Sequence, residues 1–172
     1  MEYVFTLKYQ IASEDPDALI ERLGTAGCDD ALVGTGQTGR LALAFTRDAR
    51  NAYTAILSAL RDVKKALPEA KLIEVTPDLV GLTDVADMVG VSRQNMRKLM
   101  VGHGTRFPPP IHEGSAALWH LADVLGWLSE KANYEVDKSL IEIAISARQI
   151  NIAKEARLMP PKRQSEIESV LN

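Results

Sequence analysis

The most distinctive chemistry of this chain lies in a group of polar side chains between residues 93 and 98. The group combines guanidinium, amide and ammonium side chains, and it consists of Arg93, Gln94, Asn95, Arg97 and Lys98. Arginine can bond the O6 and N7 acceptors of guanine, glutamine and asparagine can bond adenine, and cations neutralise phosphates. These residue types suit the recognition of double-stranded DNA.

The residues around this group have the pattern of two short helices joined by a tight turn. Thr83 is placed to cap the first helix, Gly90 to make the turn, and Ser92 to cap the second helix. The inner faces would hold Val85, Ala86, Val89, Met96 and Leu99. The pattern predicts a helix-turn-helix over residues 82–100. An ordinary helical hairpin with a solvated polar face is the competing interpretation.

The residues that follow contain a Phe-Pro-x-Pro sequence and two tryptophans. The residues that form this pattern are Phe107, Pro108, Pro110, Gly114, Trp119, Val124 and Trp127. The pattern resembles part of the winged helix-turn-helix proteins of the MerR and phage-excisionase types, in which a Phe-Pro-x-Pro turn enters a hairpin, called the wing, and a Trp precedes a helix that contains a further Trp. The resemblance covers about residues 79–129, and the wider chain also looks like a group of bacterial helix-turn-helix proteins. It implies a winged-helix domain that binds DNA.

The tip of the expected wing departs from that family. Family wings commonly present Arg or Lys to phosphates, whereas this tip carries Glu113, which the DNA backbone would repel. His112 and Ser115 are therefore expected to act as neutral hydrogen-bond donors. The predicted DNA-binding residues are Ser92, Arg93, Gln94, Asn95, Arg97, Lys98, Arg106, His112 and Ser115.

The first half of the chain has a β-α-β-β-α-β pattern. Apolar and polar residues alternate over residues 3–11, as in a half-buried strand, and Pro16 and Gly27 bracket a helical pattern. Two strands joined by a glycine-rich turn, a second helix and a closing strand are expected at residues 31–33, 40–45, 49–67 and 72–75. This order predicts a ferredoxin-like domain.

A long helix is expected near the C-terminus. A coiled-coil seam with alternating steps of four and three is formed by Val136, Leu140, Ile143, Ala147 and Ile150. A second apolar stripe consists of Ile141, Ile145, Ile152 and Ala156. Such a helix either packs across both domains or meets a partner chain, and the seam is predicted to make a dimer.

Composition excludes several classes of protein. The 172 residues are 46% hydrophobic and 25% charged, with a net charge of −3. Neither a membrane span nor a secretory leader is expected from the pattern of apolar residues, which predicts a cytoplasmic protein. Cys28 has no second cysteine to pair with, and the three histidines lack zinc-ligand spacing. No catalytic, metal or cofactor motif is found, so an enzyme is not expected.

The sequence thus predicts an α+β protein with domains at residues 1–77, 78–131 and 132–172. The expected function is transcriptional regulation by a homodimer that binds operator DNA. The N-terminal domain would be a sensor for a small ligand, a site for a protein partner or a second dimerisation unit. One alternative is an antitoxin that represses its own operon and captures a toxin through residues 162–172. Another is an interaction module that does not bind DNA, with its sheet holding a ligand or peptide.

Overall fold

The computed structural model describes residues 1–131 and 134–171, and it is a mixed α/β structure. Its first part consists of β1 (Glu2–Gln10), α1 (Pro16–Ala26), β2 (Ala31–Gly34), β3 (Arg40–Asp48), α2 (Ala52–Ala66) and β4 (Lys71–Thr76). The predicted element order of this half is confirmed. Within the described ranges, no helix combines the length and the apolar character needed to cross a bilayer.

The four strands form one antiparallel sheet in the order β2-β3-β1-β4. Alternate residues of β1, from Tyr3 to Tyr9, are buried under α1 and α2, and the rings of Phe5 and Phe45 stack 5.3 Å apart across the β1–β3 pair. The opposite face is open, since Val4 and Leu32 are 65% and 79% exposed. The alternation predicted for β1 therefore separates a buried face from an exposed one.

Local capping sets the ends of the first two helices. The Asp15 carboxylate accepts the Ala18 N–H at 3.0 Å, and Gly27, with φ 106°, ends α1 in the left-handed region. The second helix begins at Ala52 instead of residue 49, because the Asn51 side chain accepts the Thr54 N–H and so marks the N-cap.

A half-buried arginine joins the sheet to α2 and to the turn that follows α1. The Arg47 guanidinium donates to both Asp30 carboxylate oxygens at 2.6 and 2.8 Å and to Asp62 at 2.7 Å. The hydrogen bonds to Asp30 raise the pKa of Arg47. Nearby, burial raises the pKa of the Cys28 thiol to about 11, so this side chain is a protonated core residue.

The second part has its own hydrophobic core. Its elements are β5 (Leu79–Val80), α3 (Leu82–Met88), α4 (Arg93–His103), a 3-10 turn (Gly104–Arg106), β6 (Trp119–His120) and α5 (Leu121–Lys131). The short strands β5 and β6 pair antiparallel. The prediction that Thr83 caps α3 is wrong, because the helix already begins at Leu82 with Gly81 as N-cap, and the Asp84 carboxylate accepts the Gly81 N–H at 2.8 Å.

The long helix α6 (Lys138–Ala156) packs across both cores, and α7 (Pro161–Glu168) follows it. Ile143 and Ala147 are buried in the first core, with Ile150 packed against it, whereas Val136 and Leu140 pack against the second. The predicted dimerisation seam is thus covered by the chain's own cores. A dimer would therefore need a different surface.

A buried polar network fixes α6 to the junction of the two parts. Asp78 is 1% exposed and contacts His120 Nδ1 at 2.7 Å, while its other oxygen accepts from the Asn151 amide at 2.8 Å. The Asn151 side chain also bonds both the N–H and the carbonyl of Val75. Residues 76–78, at the predicted boundary between the first two domains, therefore form a packed joint. The other predicted domain boundary, between residues 131 and 132, borders residues 132–133, which lie outside the described residues.

Candidate nucleic-acid interface

Helices α3 and α4 are held together by a compact turn. Gly90 has φ 71°, in the left-handed region that favours glycine, and the Val91 N–H donates to the Ala86 carbonyl at 2.9 Å. The Ser92 hydroxyl then accepts the Asn95 N–H at 3.1 Å. The predicted turn and the Ser92 cap are confirmed, so the start of α4 is fixed by local bonds.

One side of α4 anchors the helix in the second core. Met96 is fully buried, Leu99 and Met100 are partly buried, and the His103 ring meets Trp127 edge-on at 4.9 Å. These residues recur at steps of three and four, so they occupy one face of the helix. The opposite face of α4 is left to solvent.

That outward face contains most of the polar residues singled out in the sequence. Successive residues turn by about 100° around a helix, so Gln94 and Lys98 lie near the centre of the exposed face, about 160° around the helix from buried Met96. Arg93, Arg97 and Asn95 lie toward its edges, and all five residues are exposed. The Asn95 amide donates to the Tyr134 hydroxyl at 3.2 Å, which ties this edge to the chain that leads into α6.

An exposed apolar residue continues the same face. Val101 is 67% exposed and follows Gln94 by two helical turns, so the two side chains lie in one row. Val101 lies outside the predicted helix-turn-helix, which ends at Met100, whereas α4 continues to His103. A valine there can contact a thymine methyl group.

A hairpin with an exposed tip lies between the 3-10 turn and β6. The Ile111 and Leu118 backbones bond at 2.8 Å, and His112 bridges to Leu118. Residues 112–116 are exposed, and they include Glu113 and Ser115. The His112 ring lies over Gly114, where a Cβ would come within 2.7 Å of Nε2. The tip therefore presents one carboxylate, one imidazole and one hydroxyl group.

Aromatic packing connects this hairpin to α4. The Phe107 ring meets both Trp119 and Trp127 edge-on, with centroids 6.3 and 5.0 Å apart. The Trp119 indole N–H donates to the Pro108 carbonyl at 3.0 Å. Since Trp127 also contacts His103, one aromatic cluster fixes the base of the hairpin relative to the end of α4.

The cations of this region are unpaired within the described chain. No ion pair among the described residues involves Arg93, Arg97, Lys98 or Arg106. Residues 88–112 contain no carboxylate, and all four of these cations are exposed. The surface of α4 is therefore locally positive, although the whole chain is acidic.

The histidines have separate roles. His103 meets Trp127 edge-on, His112 lies at the hairpin tip and His120 bonds Asp78. In the parts of the chain that the structure describes, no three His, Cys, Asp or Glu residues are grouped as a metal site requires.

Comparison with known proteins identifies no relative of this chain. No protein-family model, curated protein or solved structure matches this chain.

Proposed function

We propose that this protein is a sequence-specific DNA-binding transcriptional regulator whose α4 enters the major groove. The observation that carries the proposal is the outward face of α4, where Gln94, Arg97 and Lys98 are exposed and the two cations form no ion pair within the described chain. An α-helix fits the width of the major groove, and these side chains offer both base-reading and phosphate-binding groups.

Each side chain of the face has a distinct role in the proposal. Gln94 is suited to adenine through its amide, Arg97 to guanine through its guanidinium, and Val101 to the methyl group of thymine. Lys98 neutralises a phosphate and thereby positions the helix without reading sequence. Arg93 sits in the first turn of α4, at the edge of the face, where it can reach a base or a phosphate.

The hairpin at residues 111–118 is proposed to be the wing of a winged-helix domain. Its attachment to α4 through the aromatic cluster supports this role, since a wing must keep a fixed distance from the recognition helix. His112 and Ser115 would bond the DNA backbone, while Glu113 would be repelled by its phosphates.

The first part of the chain is proposed to be a ferredoxin-like domain. The β2-β3-β1-β4 order of the sheet and the position of the helices on one of its faces support this assignment.

Operator binding by such a protein is proposed to use a symmetric dimer. Two recognition helices related by a two-fold axis read half-sites about 34 Å apart, which is one turn of B-DNA. The seam of α6 is covered within the chain, so the dimer contact must lie elsewhere.

Mobility shifts with matched variants test the DNA-binding role. Arg97→Ala with Lys98→Ala should reduce affinity by more than about tenfold, because two charged contacts are lost. Arg61→Ala with Lys65→Ala removes the same charge from exposed positions of α2, so it serves as the control and should bind like the wild type. Equal affinity of all three folded proteins would rule out α4 as the binding surface.

A further inference from the structure

An apolar groove lies between α2 and the C-terminal end of α6. It has a volume of about 840 Å³, and it is lined by the apolar side chains of Tyr53, Leu57, Leu60, Leu72, Ile150 and Leu158, among others. Tyr53 is 49% exposed and Leu158 is 81% exposed, so the groove is open to a ligand from outside. Its apolar lining favours an apolar occupant.

The rim of this groove is cationic. Lys64 and Arg157 line it together with Lys71 and Lys154. Lys154 donates to the Ile73 carbonyl and pairs with Glu155, whereas Lys64, Lys71 and Arg157 are exposed and form no ion pair among the described residues. An apolar segment that also carries carboxylates would therefore match both the lining and the rim.

The chain itself carries such a segment at α7. Every residue of this helix is exposed. Ile167, Val170 and Leu171 are 43%, 74% and 69% exposed, and their spacing of three and four places them on one face. The Val170 and Leu171 N–H groups both donate to the Ile167 carbonyl, so the helical turn continues through the three residues. Glu166 and Glu168 flank Ile167.

The connection to α6 disfavours docking of α7 into the groove of its own chain. Only Met159 and Pro160 lie between Leu158, which lines the groove, and the start of α7. The eight residues of α7 extend about 12 Å, so its apolar end lies far from that junction. Folding back would require a reversal of direction at Pro160 and Pro161, whose φ angles are restricted.

We propose that α7 of one protomer occupies the groove of a second copy, and that the exchange is reciprocal. Ile167, Val170 and Leu171 contact the groove lining, while Glu166 and Glu168 face the cations of the rim. Both protomers then use the same two surfaces, as a closed two-fold dimer requires. Neither surface belongs to α4 or to the hairpin, so this proposal and the DNA-binding role can fail separately.

Sedimentation velocity of single variants tests whether α7 makes the dimer. Ile167→Asp should raise the dimer dissociation constant by more than about 100-fold, because it forces a charge against an apolar lining. Ser165→Asp adds the same charge on the opposite face of α7 and should leave the constant within about threefold of wild type. A wild type that is monomeric at high micromolar concentration would overturn the proposal, and so would a dimer that persists in Ile167→Asp.

Charge exchange identifies the groove as the receiving surface. A chain with Glu166→Lys and Glu168→Lys should be monomeric, and so should a chain with Lys64→Glu and Arg157→Glu. An equimolar mixture of the two should form heterodimers, because each α7 then meets a groove of opposite charge. Homodimers of either variant, or a mixture that stays monomeric, would contradict the proposed pairing.

Discussion

Replacing Lys98 by Ala should make DNA binding less sensitive to salt. Each protomer presents four exposed cations in a segment without carboxylates, namely Arg93, Arg97, Lys98 and Arg106. Arg97 is assigned to a guanine, so the phosphate contacts are left to Arg93, Lys98 and Arg106. Counterion release lowers log affinity by roughly 0.9 per phosphate for each unit of log salt, so three contacts give a slope of about −2.7 per protomer. A fourfold rise in salt then weakens binding by about 40-fold per protomer.

The variant removes one of these three phosphate contacts. Its slope should be about −1.8 per protomer, and the same rise in salt should weaken its binding by about 12-fold. Fluorescence anisotropy titrations of a labelled duplex at several salt concentrations measure both slopes. Lys65→Ala, an exposed cation of α2, is the control and should keep the wild-type slope. An unchanged slope for Lys98→Ala, or an equal change in the control, would refute the placement of α4 against the phosphates.

Three further predictions concern the hairpin tip and the core. Glu113→Gln should tighten DNA binding by about twofold in the same titrations, and unchanged binding would show that the tip does not approach the DNA backbone. Arg47→Ala should lower the free energy of unfolding by about 3 kcal/mol in urea, because it leaves Asp30 and Asp62 without their cation; a loss below about 1 kcal/mol would contradict this. Because burial raises the pKa of the Cys28 thiol from 9.0 to about 11, the unfolded chain loses this proton first. The contribution of Cys28 to the free energy of unfolding should therefore be fully present below pH 9 and should be lost as pH rises toward 11. Fast alkylation of Cys28 in the folded protein at neutral pH would contradict the burial of this thiol.

Features stabilised by neighbours in the sequence were predictable. The alternation in β1, the Asp15 and Gly27 caps of α1, and the Gly90 and Ser92 turn each depend on residues within a few positions, so their residue types carry the signal. The outward face of α4 was predictable for a similar reason, because helical spacing separates its polar residues from the buried ones. Thr83 was the exception, because an adjacent Gly-x-x-Asp sequence offered a competing cap.

Features made by distant residues were not predictable. Asp78 meets His120 and Asn151 across 42 and 73 positions, and Arg47 meets Asp30 across 17, and none of these residues has a distinctive local pattern. The two apolar stripes of α6 posed a different difficulty. A helix covered by its own chain and a helix covered by a partner have the same periodicity, so the pattern alone does not distinguish them.

Selection of bound duplexes from a random-sequence pool tests the central claim most directly. We predict that the wild type enriches one motif, whose two halves are inverted repeats about one helical turn apart. Arg97→Ala should lose the preference for one guanine in each half, whereas Lys98→Ala should select the same motif as the wild type. Lys65→Ala should select the wild-type motif. If the wild type enriches no motif, or if Arg97→Ala and Lys98→Ala lose affinity equally for all sequences, α4 supplies only charge and the account of sequence reading is contradicted.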